Sequence, residues 1–228
     1  MPNYPLMIFA AGFGTRMGAL TQNMPKPLIR VAGRALIDHA LDAARAAGVS
    51  RIVINLHYLG DQIAAHLAGQ DVLFSWEKPN ILETAGGLRA ALPLLGHGPV
   101  LLMNSDAVWT GQNPLTQLIC AWDASKMDAL LLLTARQKAH GHSGLGDFFL
   151  AKDGRITRAK GLEAPIYLGA QIIKPALLDS FHETAFSLGK VWDKAIAAGR
   201  AYGMMHQGGW CDVGTPQGIL VAERVLNV

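Results

Sequence analysis

The most constraining feature of this chain is an apolar segment, residues 5–9, that runs directly into Ala10-Ala11-Gly12-Phe13-Gly14-Thr15-Arg16-Met17. The segment reads as a first β-strand. Small residues just after a strand let the backbone turn sharply and approach a ligand closely. The N–H groups of such a turn can face phosphate oxygens. Arg16 and Lys26, the latter set between Pro25 and Pro27, supply two cations for a polyphosphate. Residues of this type are usually solvated surface cations, and that plain alternative stays open. The flanking prolines, however, restrict the backbone around Lys26 and preorganise its direction. The spacing is not that of the P-loop, which needs Gly-Lys-Ser/Thr opening a helix. Nor does it carry the third glycine of the Rossmann fingerprint.

Downstream, strands and helices alternate. Leu36, Ile37, Ala40, Leu41 and Ala44 recur at helical spacing, with Gly48 as the stop. Residues 51–56 contain the continuous apolar run Ile52-Val53-Ile54, as expected for a strand covered on both faces. A short helix is expected over 61–67, a strand over 72–76, a helix capped by Thr84, and a strand over 99–103. Asn113-Pro114 pairs a cap with a first-turn proline, opening a helix to Trp122, and residues 129–134 read as the next strand. This alternation predicts an α/β fold with a mostly parallel sheet and helices on both faces. After about residue 140 the pattern changes. Lys152-Asp153-Gly154 reads as a hairpin turn, 166–173 as a strand, 190–198 as a helix, and Thr215-Pro216 starts the last helix. No Pro/Gly/Ser linker separates the two parts. We expect one domain over 1–228, with residues 141–228 an α+β extension packed on the same sheet.

The composition excludes several function classes. With 228 residues, half of them hydrophobic, the chain can bury a sizeable core. A net charge of +3 suits anionic small molecules but is too weak and scattered to indicate nucleic acid. No basic stripe with interleaved aromatic residues is present. Cys120 and Cys211 have no metal-ligand spacing and read as two reduced thiols. The longest apolar runs are too short for a membrane span, and the N-terminal apolar residues lack a basic region before them. A cytoplasmic protein is expected.

Three further features draw attention. Asp106 follows a buried strand, where open α/β sheets bind ligands and where a carboxylate can hold Mg²⁺. Taken alone, it reads first as a loop aspartate making a turn or capping a helix. Asp212, in Gly208-Gly209-Trp210-Cys211-Asp212-Val213-Gly214-Thr215-Pro216, precedes a helix start and has the same two readings. Gly86-Gly87, in the first turn of a helix, costs helix stability. The compensation is either close helix packing or close approach of a ligand.

The stretch from Phe9 to Leu28 resembles the signature of the sugar-1-phosphate nucleotidyltransferases, (L/F)-A-A-G-x-G-T-R-M followed by P-K-P-L. Gly33, Leu36-Ile37 and the run Trp210 to Pro216 continue the likeness, which covers nearly the whole chain. Ala19, where many members carry proline, is a departure. The chain is most similar to the short members, which join UTP to N-acetylmuramate 1-phosphate in cell-wall recycling or GTP to mannose 1-phosphate. The resemblance implies a Rossmann-like GT-A fold, and the reaction of a nucleoside triphosphate with a sugar 1-phosphate to give a nucleotide sugar and pyrophosphate, with UTP favoured. It implies that Asp106 and Asp212 hold Mg²⁺ and that Arg16 and Lys26 carry catalysis. Ala11, Gly12, Gly14, Thr15, Glu83, Gly86 and Gly87 would bind the nucleotide. Gly146, Lys160 and Tyr167 would bind the sugar phosphate, although Arg158-Ala159-Lys160-Gly161 stands where many relatives have Glu-Lys-Pro. Residues 1–140 would then serve mainly the nucleotide and 141–228 mainly the sugar, in a monomer or small homo-oligomer. A CTP:phosphocholine cytidylyltransferase and a non-catalytic nucleotide-sugar-binding module are the alternatives.

Overall fold

A computed structural model describes residues 3–227. The elements, in order, are β1 (Leu6–Phe9), β2 (Arg30–Val31), β3 (Arg34–Ala35), α1 (Leu36–Ala46), β4 (Ile52–Leu56), α2 (Gly60–His66) and β5 (Leu73–Trp76). Then come α3 (Glu83–Leu95), β6 (Val100–Asn104), β7 (Ala107–Trp109), α4 (Pro114–Ala121), β8 (Ala129–Thr134) and β9 (Ala139–His140). The chain ends through β10 (Phe148–Leu150), β11 (Ile156–Arg158), β12 (Ile166–Ile173), α5 (Leu188–Ala197), β13 (Ala201–Met205), β14 (Trp210–Asp212) and α6 (Pro216–Val225).

Seven strands form the main sheet in the order β13-β8-β12-β6-β1-β4-β5. All run parallel except β12, which is antiparallel to both β6 and β8. Side chains alternate across the strands, so each apolar run feeds two cores. Leu6, Ile8, Ile54 and Met103 pack with Ile37 and Leu41 of α1 and Leu118 of α4. Met7, Val53, Leu102 and Leu131 pack on the opposite face with Leu88 of α3 and Val191 of α5. The expected α/β architecture is therefore observed. Strands from the C-terminal part, β12 and β13, complete the same sheet. The 152–154 turn joins β10 to β11 as an antiparallel hairpin.

Local expectations fail where pairing is long-range. The three-residue strands β7 and β14 carry little pattern of their own. They form because Trp210, Cys211 and Asp212 pair with Trp109, Val108 and Ala107. Helix α5 begins at Leu188, two residues ahead of the expected start. Thr84 does not cap α3. It lies inside the helix, and its Oγ1 instead accepts the Leu188 N–H at 2.8 Å. Cys120 and Cys211 are both free, the first exposed and the second buried.

Asp128 ties together the start of β8, the end of β12 and the start of β13. It accepts from Lys174 Nζ at 2.8 Å and Arg200 Nε at 2.9 Å. Burial opposes its charge, but Arg200 and Lys174 outweigh that and hold its carboxyl below the ordinary value of 3.8. A carboxyl with a lowered folded pKa adds stability above its unfolded pKa and loses it as pH falls through the folded value. Asp128→Asn should therefore cost about 1–2 kcal/mol at neutral pH. Thermal melts should show that gap closing as the pH drops below the ordinary carboxylate value. A gap independent of pH would contradict the assignment.

Candidate active site

The carboxyl ends of β1, β4, β5 and β6 open onto a cavity of about 310 Å³. That is within the ~300–1,000 Å³ usual for small-molecule sites. It is bordered by Ala11, Gly12, Gly14, Thr15, Arg16, Lys26, Glu83 and Asp106, so most of the residues singled out in the first half of the sequence converge here.

The glycine turn is shaped by two different needs. Gly14 has φ +64°, and a Cβ there would stand 2.9 Å from Lys26 Cβ and 3.0 Å from Thr21 Cγ2. It must be glycine both for the left-handed backbone and for the passage of the Lys26 stem. A Cβ on Gly12, by contrast, would meet no atom within 4 Å. Packing does not require glycine at that position, and its smallness keeps the cavity wall open. Beyond Gly14 the chain enters a 3₁₀ turn, Thr15–Thr21, in which Met17 N–H donates to Gly14 O at 2.9 Å.

Lys26 is buried, at 8% exposure, in a second 3₁₀ turn that Pro25 leads in extended conformation. Its Nζ donates to Asp106 Oδ2 at 2.5 Å. Asp106 lies in the turn between β6 and β7. Ser105 Oγ anchors that turn by donating to Phe9 O at 2.6 Å, at the end of β1. The β7–β14 pairing carries Asp212 to the same place. Asp212 sits opposite Ala107, and the Val213 N–H donates to Asp106 O at 2.9 Å. Two aspartates 106 residues apart in sequence are thus on adjacent backbones.

The electrostatics agree with this proximity. The Asp212 carboxyl is pushed above its ordinary value, first by burial and then by the Asp106 carboxylate, against the opposing pull of Lys26, Arg16 and His142. Arg16 Nη1 lies 3.9 Å from Asp212 Oδ2, with two thirds of the Arg16 side chain exposed. The guanidinium is therefore lightly held and able to turn toward an anion at the cavity. Gly214 leaves space for this pair, because a Cβ there would lie 2.8 Å from both Arg16 Nη1 and Asp212 Oδ2.

Other expected residues are placed elsewhere. Gly86 and Gly87 are buried behind the cavity wall and do not border it. A Cβ on Gly86 would come within 2.5 Å of Thr184 O, and the Ala85 and Gly86 N–H groups both donate to Phe186 O, at 2.9 and 3.1 Å. The glycine pair answers to packing, the alternative its position left open. Gly146 is packed against the Ala164 backbone, and Lys160 is exposed with φ +51°. Tyr167 lies on β12 in edge contact with Trp192, its hydroxyl held protonated by burial and by nearby Asp147. These three do not border the cavity. Tyr167 does lie on the strand that leads to it. Gly169, two residues on, has φ +74° at a β12 irregularity, where a Cβ would come within 2.7 Å of Asn104 Nδ2. Asn104 borders the cavity.

Asn55, Glu77 and Ile81 also border the cavity and were not singled out from sequence. Asn55 is an amide inside an otherwise apolar, buried strand. That is a readable signal, since a buried amide needs partners.

Residues 6–178 match the MobA-like NTP transferase domain family. The chain belongs to that family. As a MobA-like transferase it has full-length relatives. It is 40% identical to the N-acetylmuramate alpha-1-phosphate uridylyltransferase of Caulobacter vibrioides, over 96% of each chain. It is 35% identical to the enzyme of the same name from Neisseria meningitidis, over 92% of each. A probable mannose-1-phosphate guanylyltransferase from Arabidopsis thaliana is more distant, at 28% over 96% of this chain and 64% of that one. Among solved structures, HddC from Yersinia pseudotuberculosis superposes with a TM-score of 0.78 over 98% of this chain and 99% of that one, at 18% identity, which bears on the fold alone.

Proposed function

We propose that the protein transfers a uridylyl group from UTP to N-acetylmuramate 1-phosphate, forming UDP-N-acetylmuramate and pyrophosphate. The convergence of Lys26, Asp106, Asp212 and Arg16 beside the glycine turn carries the reading. The full-length likeness to uridylyltransferases supports the substrate pair.

In this reading a sugar-phosphate oxygen attacks the α-phosphorus of UTP, and the bond from that phosphorus to the bridging oxygen of pyrophosphate breaks. No protein nucleophile is required. The Cys211 thiol, pushed up to about 12 by burial and by Asp212, is unsuited to that role. The chain would act by positioning and charge stabilisation. The backbone from Gly12 to Thr15 holds the outer phosphates. Arg16 turns from Asp212 to the leaving pyrophosphate with a planar fork suited to phosphate. Lys26 neutralises charge on the α-phosphate or the acceptor phosphate.

Asp106 and Asp212 would hold Mg²⁺. The donor set fits: both groups are carboxylates, and burial, then the neighbouring Asp106 carboxylate, raise the Asp212 pKa, a cost that a shared cation offsets. Two protein oxygens suit an ion that keeps water and substrate phosphates among its ligands. When bound, Mg²⁺ supplies charge neutralisation on the phosphate oxygens. Residues 141–228, of which Gly214 borders the cavity and Gly169 of β12 packs against Asn104 at its edge, would supply most of the sugar side.

The test is pyrophosphate release with each of the four nucleoside triphosphates against a panel of sugar 1-phosphates. UTP with the lactyl-bearing sugar should be the best pair. Preference for GTP with mannose 1-phosphate would replace the substrate assignment, and nucleotide binding without release would overturn the enzymatic one.

A further inference from the structure

We propose that Glu77 is a positioning residue, whose carboxylate ties the glycine turn to the start of α3 and so sets the width of the nucleotide cleft. The inference rests on the nucleotide-transfer reading of that cleft. Glu77 is fully buried and Asn55 is 3% exposed. The two side chains form a continuous path of hydrogen bonds. The Ala10 N–H donates to Asn55 Oδ1 at 2.8 Å, and Asn55 Nδ2 donates to Glu77 Oε1 at 2.7 Å. From the other side, the Leu82 N–H donates to Glu77 Oε2 at 2.7 Å. Ala10 opens the glycine turn. Leu82 is the residue before α3, whose N-terminus has no side-chain cap on its own segment. Ile81, Glu83 and Thr84, which flank Leu82, border the same cavity as Ala11 and Gly12.

The path has a direction that specifies its residues. Both ends are backbone N–H groups, which only donate. The amide of Asn55 must present oxygen to Ala10 and therefore nitrogen to Glu77. The residue at position 77 then faces a donor on each side and must accept at both oxygens. A carboxylate does so, whereas an amide of the same shape cannot. Gly87 completes the fit, because a Cβ there would lie 2.4 Å from Glu77 Oε1 and 3.2 Å from Asn55 Nδ2. A glycine in a helix, an asparagine in an apolar strand and a buried glutamate are thus explained by one arrangement.

The same logic supplies the test. In Glu77→Gln two donors are forced to face each other. In the double variant Asn55→Asp with Glu77→Gln, the acceptor-only group moves to position 55, the amide to position 77, and every hydrogen bond is restored with the net charge unchanged. The readouts are UTP affinity by calorimetry and amide hydrogen exchange at Ala10 and Leu82. E77Q should bind UTP about tenfold or more weakly, with faster exchange at both amides. The double variant should recover to within roughly threefold of the parent, with both amides protected again. A double variant with protected amides but binding as weak as in E77Q would show that Glu77 meets the nucleotide itself, and would overturn the positioning role. Unaltered exchange in E77Q would overturn it whatever the parent binds. Failure of the parent to bind UTP would instead count against the functional reading.

Discussion

Asp106→Ala should lower pyrophosphate release at saturating magnesium by roughly 10³-fold or more, while circular dichroism shows the fold retained. The size of the effect follows from position. Asp106 receives Lys26 at 2.5 Å, adjoins Asp212 through the Val213–Asp106 backbone bond, and borders the cavity. Its loss removes one of two carboxylates proposed for the cation and releases a buried lysine from its partner. The fold should persist, because Asp106 lies in a turn outside the two main cores. Turnover within tenfold of the parent, at any magnesium concentration, would exclude Asp106 from the cation site.

Asp212→Asn should have two opposite effects. Turnover should fall by about as much as in the Asp106 variant, by the same reasoning. Stability in the presence of a chelator should rise. The folded-state pKa of Asp212 is raised, chiefly by burial and next by Asp106. The sign is the reverse of that for Asp128: a raised carboxyl holds its proton in the folded chain, so its contribution to stability declines as pH rises through the folded value. At neutral pH the charge is a cost, and removing it should raise the melting temperature by roughly 2–4 °C, equivalent to about 1 kcal/mol. A gain in stability with a loss of activity is the mark of a strained functional carboxylate. A purely structural aspartate would lose stability instead, and that result would reject the assignment.

What the sequence made legible follows from the range of the forces involved. The runs Leu6–Phe9, Val100–Asn104 and Ala129–Thr134 declare themselves because a strand covered on both faces reads as a nearly continuous apolar run, whichever face each side chain meets. Gly12, Gly14, Arg16 and Lys26 could be located because the turn and its cations are contiguous in the chain. Thr84 illustrates the limit. A threonine at a helix start is a sound cap by local chemistry, yet here the Gly86 N–H that it would accept donates to Phe186 O, and its own Oγ1 accepts from Leu188, about a hundred residues on. Gly86 and Gly87 had two readings that only three-dimensional neighbours separate, and those neighbours come from Thr184 and Glu77. The proposed sugar-side residues Gly146 and Tyr167 are placed by packing against Ala164, Asp147 and Trp192, with no local pattern to announce it, and Lys160 stands exposed in a loop. Asn55 was readable in principle, as a polar residue that a buried strand would not tolerate unpaired.

Asp106 and Asp212 are proposed to share one divalent ion beside the glycine turn. Calorimetric titration of Mg²⁺ into the protein saturated with a non-hydrolysable UTP analogue tests it most directly, with Asp106→Asn and Asp212→Asn in parallel. The parent should bind Mg²⁺, and each variant should bind it about tenfold or more weakly. Parent-like Mg²⁺ affinity in either variant would contradict it.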